Sequence, residues 1–461
     1  MQKQIIDRRD FIRKAMIVSS GIAALRVFPA WSIGMPKPVF PLHNIPVNKG
    51  IDPAWISSLY DRGRSTAYYK TKNELKYIGM PVGGLHSGTV YVGGDGRLWL
   101  WQIYNETAEG NHEGIEPKTV TWNDGVTLRK IGSRDGSCFI EPAIAGNKRV
   151  LEQGFAVKVD IGGKSLIKEL NEDHWDEIVF EPSYPLSKVT YSSKGFPVTV
   201  ALTVYSPFIP LDAKNSALPA TILKLKVKNK AKQKMNVSIL GWMENGVNKL
   251  TGNVGSGKRI NTVSSTERAT IIDSTFDTAD DALKKSGDYG SMCFTLHAKG
   301  KAQPVISTWP VTAEHFDFVP ENIATADAPE KLIGGIELSR LVAPGQSLYA
   351  DFSICWHFNN ANENLKKLVN DARAGYQYGT KFKNAREVSV YLAENFKELT
   401  ETTELWCSTW NDSTLPYWFL ERTFINICTL ATANTYRFAD GRFWGWEGVG
   451  ACPGTCTHVW Q

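Results

Sequence analysis

The final 22 residues, Asp440-Gly-Arg-Phe-Trp-Gly-Trp-Glu447-Gly-Val-Gly-Ala-Cys-Pro-Gly-Thr-Cys-Thr-His-Val-Trp-Gln461, hold the densest set of chemically useful groups in this sequence. Glu447 is a carboxylate among indoles and glycines. An ionised carboxylate can attack an electrophilic carbon and form a covalent intermediate. The flat faces of Trp446 and Trp460 suit the C–H face of a sugar ring, whose hydroxyls need polar edges such as His458 and Asp440. Glycines at 445 and 448 leave room for a ligand to approach the backbone. Six of the 15 tryptophans fall between Trp406 and Trp460, which strengthens the carbohydrate reading.

Each of these residues also has a plainer role open to it. Glu447 could be salt-bridged to Arg442, and Asp440, opening Asp-Gly-Arg, could cap a turn. Cys452, Cys456 and His458 offer three soft ligands, but a zinc site usually draws a further pair from elsewhere and none is evident, so no metal is expected. Packing or a Cys452–Cys456 disulfide accounts for the cysteines better. Gly83-Gly84-Leu-His-Ser-Gly88 lacks the Gly-x-Gly-x-x-Gly spacing of a phosphate cradle and reads as a tight turn between strands. No cofactor is expected.

The elements that must position these groups change character along the chain. From about Tyr77 to Phe358 the pattern is that of β-structure. An Asp95-Gly96 turn joins two β-rich runs, a hairpin signal. Val198 to Val204 is rich in β-branched residues, and Leu223-Lys-Leu-Lys-Val-Lys alternates with period two. From Ala361 the period becomes helical. Leu365, Leu368, Val369, Ala372 and Tyr376 form one stripe; Val388, Leu392, Phe396, Leu399 and Trp406 form a second. A third follows the start signal Asp412-Ser-Thr-Leu-Pro416, with Leu420, Phe424, Ile427 and Ala431 on one face. These amphipathic helices need partners to bury their stripes.

Composition bounds the rest. The 461 residues are too many for one ordinary core, and 42% hydrophobic with 21% charged residues is globular usage. The net charge of +5 is spread over 52 basic and 47 acidic residues with no basic block, so nucleic acid is not an expected partner. Asp7-Arg8-Arg9-Asp10-Phe11-Ile12-Arg13-Lys14, before a short apolar run to Leu25, resembles a twin-arginine export signal. It implies a periplasmic or secreted protein. No segment reaches transmembrane length. The seven cysteines are scattered and imply no disulfide framework.

Four separated motifs then point to one family. Tyr77-Ile-Gly-Met-Pro-Val-Gly83-Gly84-Leu-His-Ser-Gly88 with Gly96-Arg-Leu-Trp-Leu-Trp-Gln-Ile-Tyr-Asn105 resembles the N-terminal domain of glycoside hydrolase family 116. Tyr205-Ser-Pro-Phe-Ile-Pro-Leu-Asp212 with Asn215-Ser-Ala-Leu-Pro-Ala220 is similar to a second stretch of it. Trp410-Asn-Asp-Ser-Thr-Leu-Pro416 and Asp440-Gly-Arg-Phe to Cys456-Thr-His458 resemble the start of the family's catalytic domain. The resemblance implies a retaining β-glycosidase, of the glucosylceramidase or bacterial β-glucosidase kind, built as a β-sandwich on an (α/α)6 barrel. It implies that Glu447, in Gly441-Arg-Phe…Glu-Gly448, is the nucleophile. It also implies that the acid/base aspartate has its place beyond Gln461. After Gly448 the sequence departs from the eukaryotic members, so glucosylceramide is not carried over as substrate.

The expected organisation is a signal over 1–32, a linker over 33–50, an antiparallel β-sandwich over 51–360 and the first helices of an incomplete (α/α)6 barrel over 361–461. The expected function is hydrolysis of β-linked sugars. Two other readings fit the same residues: a non-catalytic carbohydrate-binding or interaction module, and an inverting or phosphorolytic enzyme of similar architecture.

Overall fold

A computed structural model describes residues 50–76, 78–105, 118–121, 128–131, 151–298, 302–307, 322–361, 366, 375–433 and 435–445. By contacts the chain forms two units, residues 1–58 and 59–461. In the first, the described part is a short helix, Pro53–Ser58, whose Ala54 amide donates to Asp52 Oδ1.

The second unit is built on two antiparallel sheets. The larger has ten strands in the spatial order Tyr68–Tyr69, Glu177–Ser183, Leu186–Ser192, Val198–Tyr205, Ala220–Asn229, Ser347–His357, Ser291–Leu296, Thr270–Asp277, Lys258–Ser265 and Ile323–Asp327. The smaller runs Ala302–Ser307, Ile333–Val342, Met235–Glu244, Gln153–Ile161 and Lys164–Glu169. Period-two patterning makes these strands two-faced. In Ala220–Asn229, Leu223, Leu225 and Val227 are buried while Lys226 and Lys228 are exposed.

The sheets pack face to face as a sandwich. Phe155 of the smaller sheet meets Phe352 of the larger at 5.1 Å between ring centres, and Phe352 stacks on Phe294 at 5.4 Å. Burying each such ring contributes about 1.5–3 kcal/mol. The β-rich N-terminal domain expected from the sequence is therefore present.

The outer face of the larger sheet is covered by one long helix, Ala385–Asn411. It starts on a reciprocal cap: Asn384 Oδ1 accepts from the Glu387 amide at 2.9 Å, and Glu387 Oε2 accepts from the Lys383 amide at 2.8 Å. Its buried stripe, Ala385, Val388, Leu392 and Leu399, packs on Tyr205, Ile222, Ile271, Cys293 and Cys355. Threonines add polar rivets within this apolar layer. Tyr205 Oη donates to Thr400 Oγ1 at 3.0 Å, and Thr403 Oγ1 accepts from the Phe208 amide at 3.1 Å.

Two expectations for the helical part need correction. The third helix, Tyr417–Phe424, is capped at Pro416 with no side-chain bond, so Asp412-Ser-Thr does not supply its cap; Ser413 Oγ instead accepts from the Leu415 amide. The helix also gives way to a 3-10 segment, Ile425–Ala431, where Ile425, Ile427 and Thr429 are β-branched and poorly suited to α-helix. Leu420, Phe424 and Ala431 are buried as the stripe requires. Tyr376, read as the end of the first helical stripe, instead forms a β-bridge with Phe438. The other four residues of that stripe lie outside the described residues. Trp418, Phe419 and Ile425 remain exposed. Among the described residues no helix is long and apolar enough to cross a membrane.

Candidate functional site

The part of the candidate site that the structure describes is a hairpin, Thr435–Arg437 paired with Phe443–Gly445. Its turn explains Asp440. Asp440 Oδ1 accepts from the Arg442 amide at 2.9 Å, and its other oxygen lies 3.4 Å from Arg442 Nη2. Gly441 follows at φ +89°, a conformation in which a Cβ is strained. Asp440 thus makes the turn-capping contacts open to it from sequence. Trp446, Glu447, His458 and Trp460 lie outside the described residues, as do Cys452 and Cys456. Glu447 follows Gly445, the last described residue of the second strand, by two positions.

The hairpin stands on a buried aromatic column. Tyr378 stacks on Tyr376 at 5.0 Å, Tyr376 on Tyr436 at 4.2 Å, and Tyr436 leans on Phe438 at 4.6 Å. Tyr436 Oη donates to Asn105 Oδ1 at 2.7 Å. Asn105 is fully buried at the end of the run Gly96 to Asn105, and its amide Nδ2 has no hydrogen-bond partner among the described residues. Burial raises the Tyr378 and Tyr436 phenols well above their ordinary 10, so both remain neutral.

The glycine-rich loop 83–88 holds the same hairpin from the sandwich side. It connects Gly79–Pro81 to Thr89–Gly93, which pairs onward with Leu98–Gln102 through the Asp95-Gly96 turn. Its glycines answer to close approach: a Cβ on Gly84 would sit 2.0 Å from the Leu218 carbonyl oxygen. Trp356 Nε1 donates to the Ser87 carbonyl at 2.9 Å. The His86 amide donates to the Leu430 carbonyl at 2.7 Å, and its Nδ1 lies 3.0 Å from Thr435 Oγ1. Its ring meets Phe443 edge-on at 5.2 Å. So the loop is more than the tight turn read from its sequence: it is a clasp between residues about 350 positions apart in the chain.

Electrostatically the clasp is neutral beside a cation. Burial, and then the nearby Arg437 charge, press the His86 imidazole from 6.5 down to about 4. His86 is thus uncharged near neutral pH. Arg437 itself has no carboxylate partner among the described residues. No group of three or more metal-ligating side chains occurs among the described residues.

His86, Asn105 and Tyr436 were not singled out by sequence reasoning. A histidine inside a glycine-rich loop was the available signal for the first; the other two carry none that is local.

Sequence comparison decides the family. The profile of the "beta-glucosidase 2, glycosyl-hydrolase family 116 N-term" domain matches residues 79–399. The chain belongs to glycosyl-hydrolase family 116. The match covers the glycine-rich loop, both sheets apart from the edge strand Tyr68–Tyr69, and the first half of the long helix, and stops before the hairpin. No curated protein sequence matches the chain. Among solved structures, this family 116 chain is similar to a protein described as a kojibiose phosphorylase from the human microbiome. The TM-score is 0.33 at 7% identity, over 73% of this chain and 36% of that one. A family 92 α-mannosidase from Bacteroides thetaiotaomicron gives 0.29 at 12% identity, over 80% and 42%. Likenesses this loose carry no argument about chemistry. The chain spans little more than a third of the phosphorylase's length.

Proposed function

We propose that this chain is the N-terminal part of an exported retaining β-glycosidase that cleaves β-linked glucose or a similar sugar. The observation that carries the reading is the family match over 79–399; the Gly441-Arg-Phe…Glu447-Gly448 pattern follows it in sequence, beginning on an anchored hairpin that is described as far as Gly445. In this reading residues 361–461 open an (α/α)6 barrel, and 1–32 direct export to the periplasm by the twin-arginine route.

Glu447 acts as nucleophile. Its carboxylate oxygen bonds to the anomeric carbon as the glycosidic C–O bond breaks, and the departing oxygen takes a proton from a second carboxyl group. Water then attacks the anomeric carbon, giving its proton to the second group, now a carboxylate, and the bond to Glu447 breaks to restore its carboxylate. The two carboxyl groups of a retaining pair stand ~5–5.5 Å apart. Trp446 and Trp460 supply stacking faces, with His458 and Asp440 as hydrogen-bonding edges. The anchored hairpin supports this role, because a nucleophile must be held within a fraction of an ångström. Arg437 would favour the ionised form of a carboxylate brought near it.

The test is turnover by Glu447→Gln in the whole enzyme. Loss of the nucleophile removes the covalent route and lowers hydrolysis of an aryl β-glucoside by orders of magnitude. Unchanged turnover would refute the assignment. The anomeric configuration of the first-formed product separates a retaining site from an inverting one.

A further inference from the structure

A cleft lies elsewhere in the fold, and none of its lining residues belongs to the glycine-rich loop or to residues 435–445. It opens where Tyr68 and Pro182–Tyr184 of the larger sheet's edge meet the end of the long helix and the helix Tyr417–Phe424. Its volume is about 320 Å³. That is near the lower end of small-ligand pockets, and matches one sugar unit rather than a long chain.

The lining combines flat apolar faces with polar edges. Tyr68, Trp410 and Phe424 provide rings. The Trp410 indole is held by donation from Nε1 to the Leu420 carbonyl at 3.3 Å and by contact with Phe424 at 5.1 Å. Tyr184 is 9% exposed, and its hydroxyl has no hydrogen-bond partner among the described residues. Burial holds that phenol protonated. Arg422 is exposed at the rim and has no carboxylate partner among the described residues. Beside it, Glu421 accepts from the Thr66 amide at 2.8 Å and from Thr66 Oγ1 at 2.6 Å, leaving its remaining lone pairs as acceptors.

An apolar occupant would strand the Tyr184 hydroxyl and desolvate Arg422 for nothing in return. A strong anion would gain Arg422 but face Glu421. A pyranose ring meets every term: its C–H face lies on indole, and its hydroxyls both donate and accept. We infer that this cleft is an accessory carbohydrate site taking one neutral sugar unit of a glycan, separate from the hairpin and independent of the role given to Glu447.

The test uses the full chain carrying Glu447→Gln, titrated calorimetrically with cellobiose, with and without Arg422→Ala or Tyr184→Phe. Arg422→Ala removes an exposed side chain and Tyr184→Phe a single oxygen, so both variants should keep the parent's thermal midpoint. Cellobiose binding at this cleft should weaken about tenfold with Arg422→Ala and about threefold with Tyr184→Phe. Equal binding by all three proteins, binding of n-octanol in place of cellobiose, or no cellobiose binding would each overturn the inference. Its failure leaves Glu447 untouched. Full turnover by Glu447→Gln would leave the cleft standing.

Discussion

Acidification should loosen the clasp, and the size of the effect follows from one histidine. The His86 imidazole ordinarily titrates at 6.5 but is pressed to about 4 in the fold, chiefly by burial and then by Arg437. A folded value below the unfolded one means the unfolded chain binds the proton first. The stabilisation is therefore complete above about 6.5 and is lost as pH falls toward 4. At ~1.4 kcal/mol per unit, moving from pH 7 to 4.5 should cost roughly 2 kcal/mol from this residue alone. His297, pressed by burial to about 3, titrates in the same direction and adds to the total. His86 sits at φ +59°, which asparagine tolerates. His86→Asn is thus the informative substitution, since it keeps the backbone and removes the titration. Urea unfolding of wild type and His86→Asn at pH 7 and 4.5 is the assay. The variant should be less stable at pH 7, having lost the Phe443 contact, yet lose roughly 2 kcal/mol less on acidification. An identical pH dependence in the two proteins would refute the assignment of the proton to His86.

Two further outcomes follow from the same frame. Gly84→Ala places a methyl 2.0 Å from the Leu218 carbonyl, backbone against backbone, so it should cost about 1–3 kcal/mol in unfolding free energy or more. A loss below ~0.5 kcal/mol would mean the loop is not so confined. Asn105→Ala leaves the buried Tyr436 hydroxyl without its acceptor and should destabilise by about 1–3 kcal/mol; adding Tyr436→Phe should recover part of it, and no recovery would show the bond is not what Asn105 provides.

How far the sequence reveals this molecule depends on whether the cause is local. Alternation in Leu223-Lys-Leu-Lys-Val-Lys gives a strand with one wet face because side chains alternate by backbone geometry, and the structure has it. The Asp95-Gly96 hairpin and the helix carrying Val388, Leu392 and Leu399 are legible for the same kind of reason. Tyr376 misled because it falls on a helical spacing while its partners, Tyr378, Tyr436 and Phe438, come from a distant hairpin and an adjoining turn. No period records such pairing. The Asn105–Tyr436 bond spans 331 positions and the His86–Thr435 contact 349, so the clasp is a tertiary fact that no local pattern encodes. Asp440 was legible as a turn residue from Asp-Gly-Arg alone, since an aspartate reaches its own backbone two residues on.

The reading rests on a covalent bond to one side chain. Incubating the whole enzyme with a 2-deoxy-2-fluoro-β-glucoside bearing a dinitrophenyl leaving group, then mapping the labelled peptide by mass spectrometry, interrogates that bond. The account predicts one fluoroglucosyl adduct per chain, on Glu447. An adduct on another carboxylate, or none from an enzyme that still turns over the substrate, would contradict it.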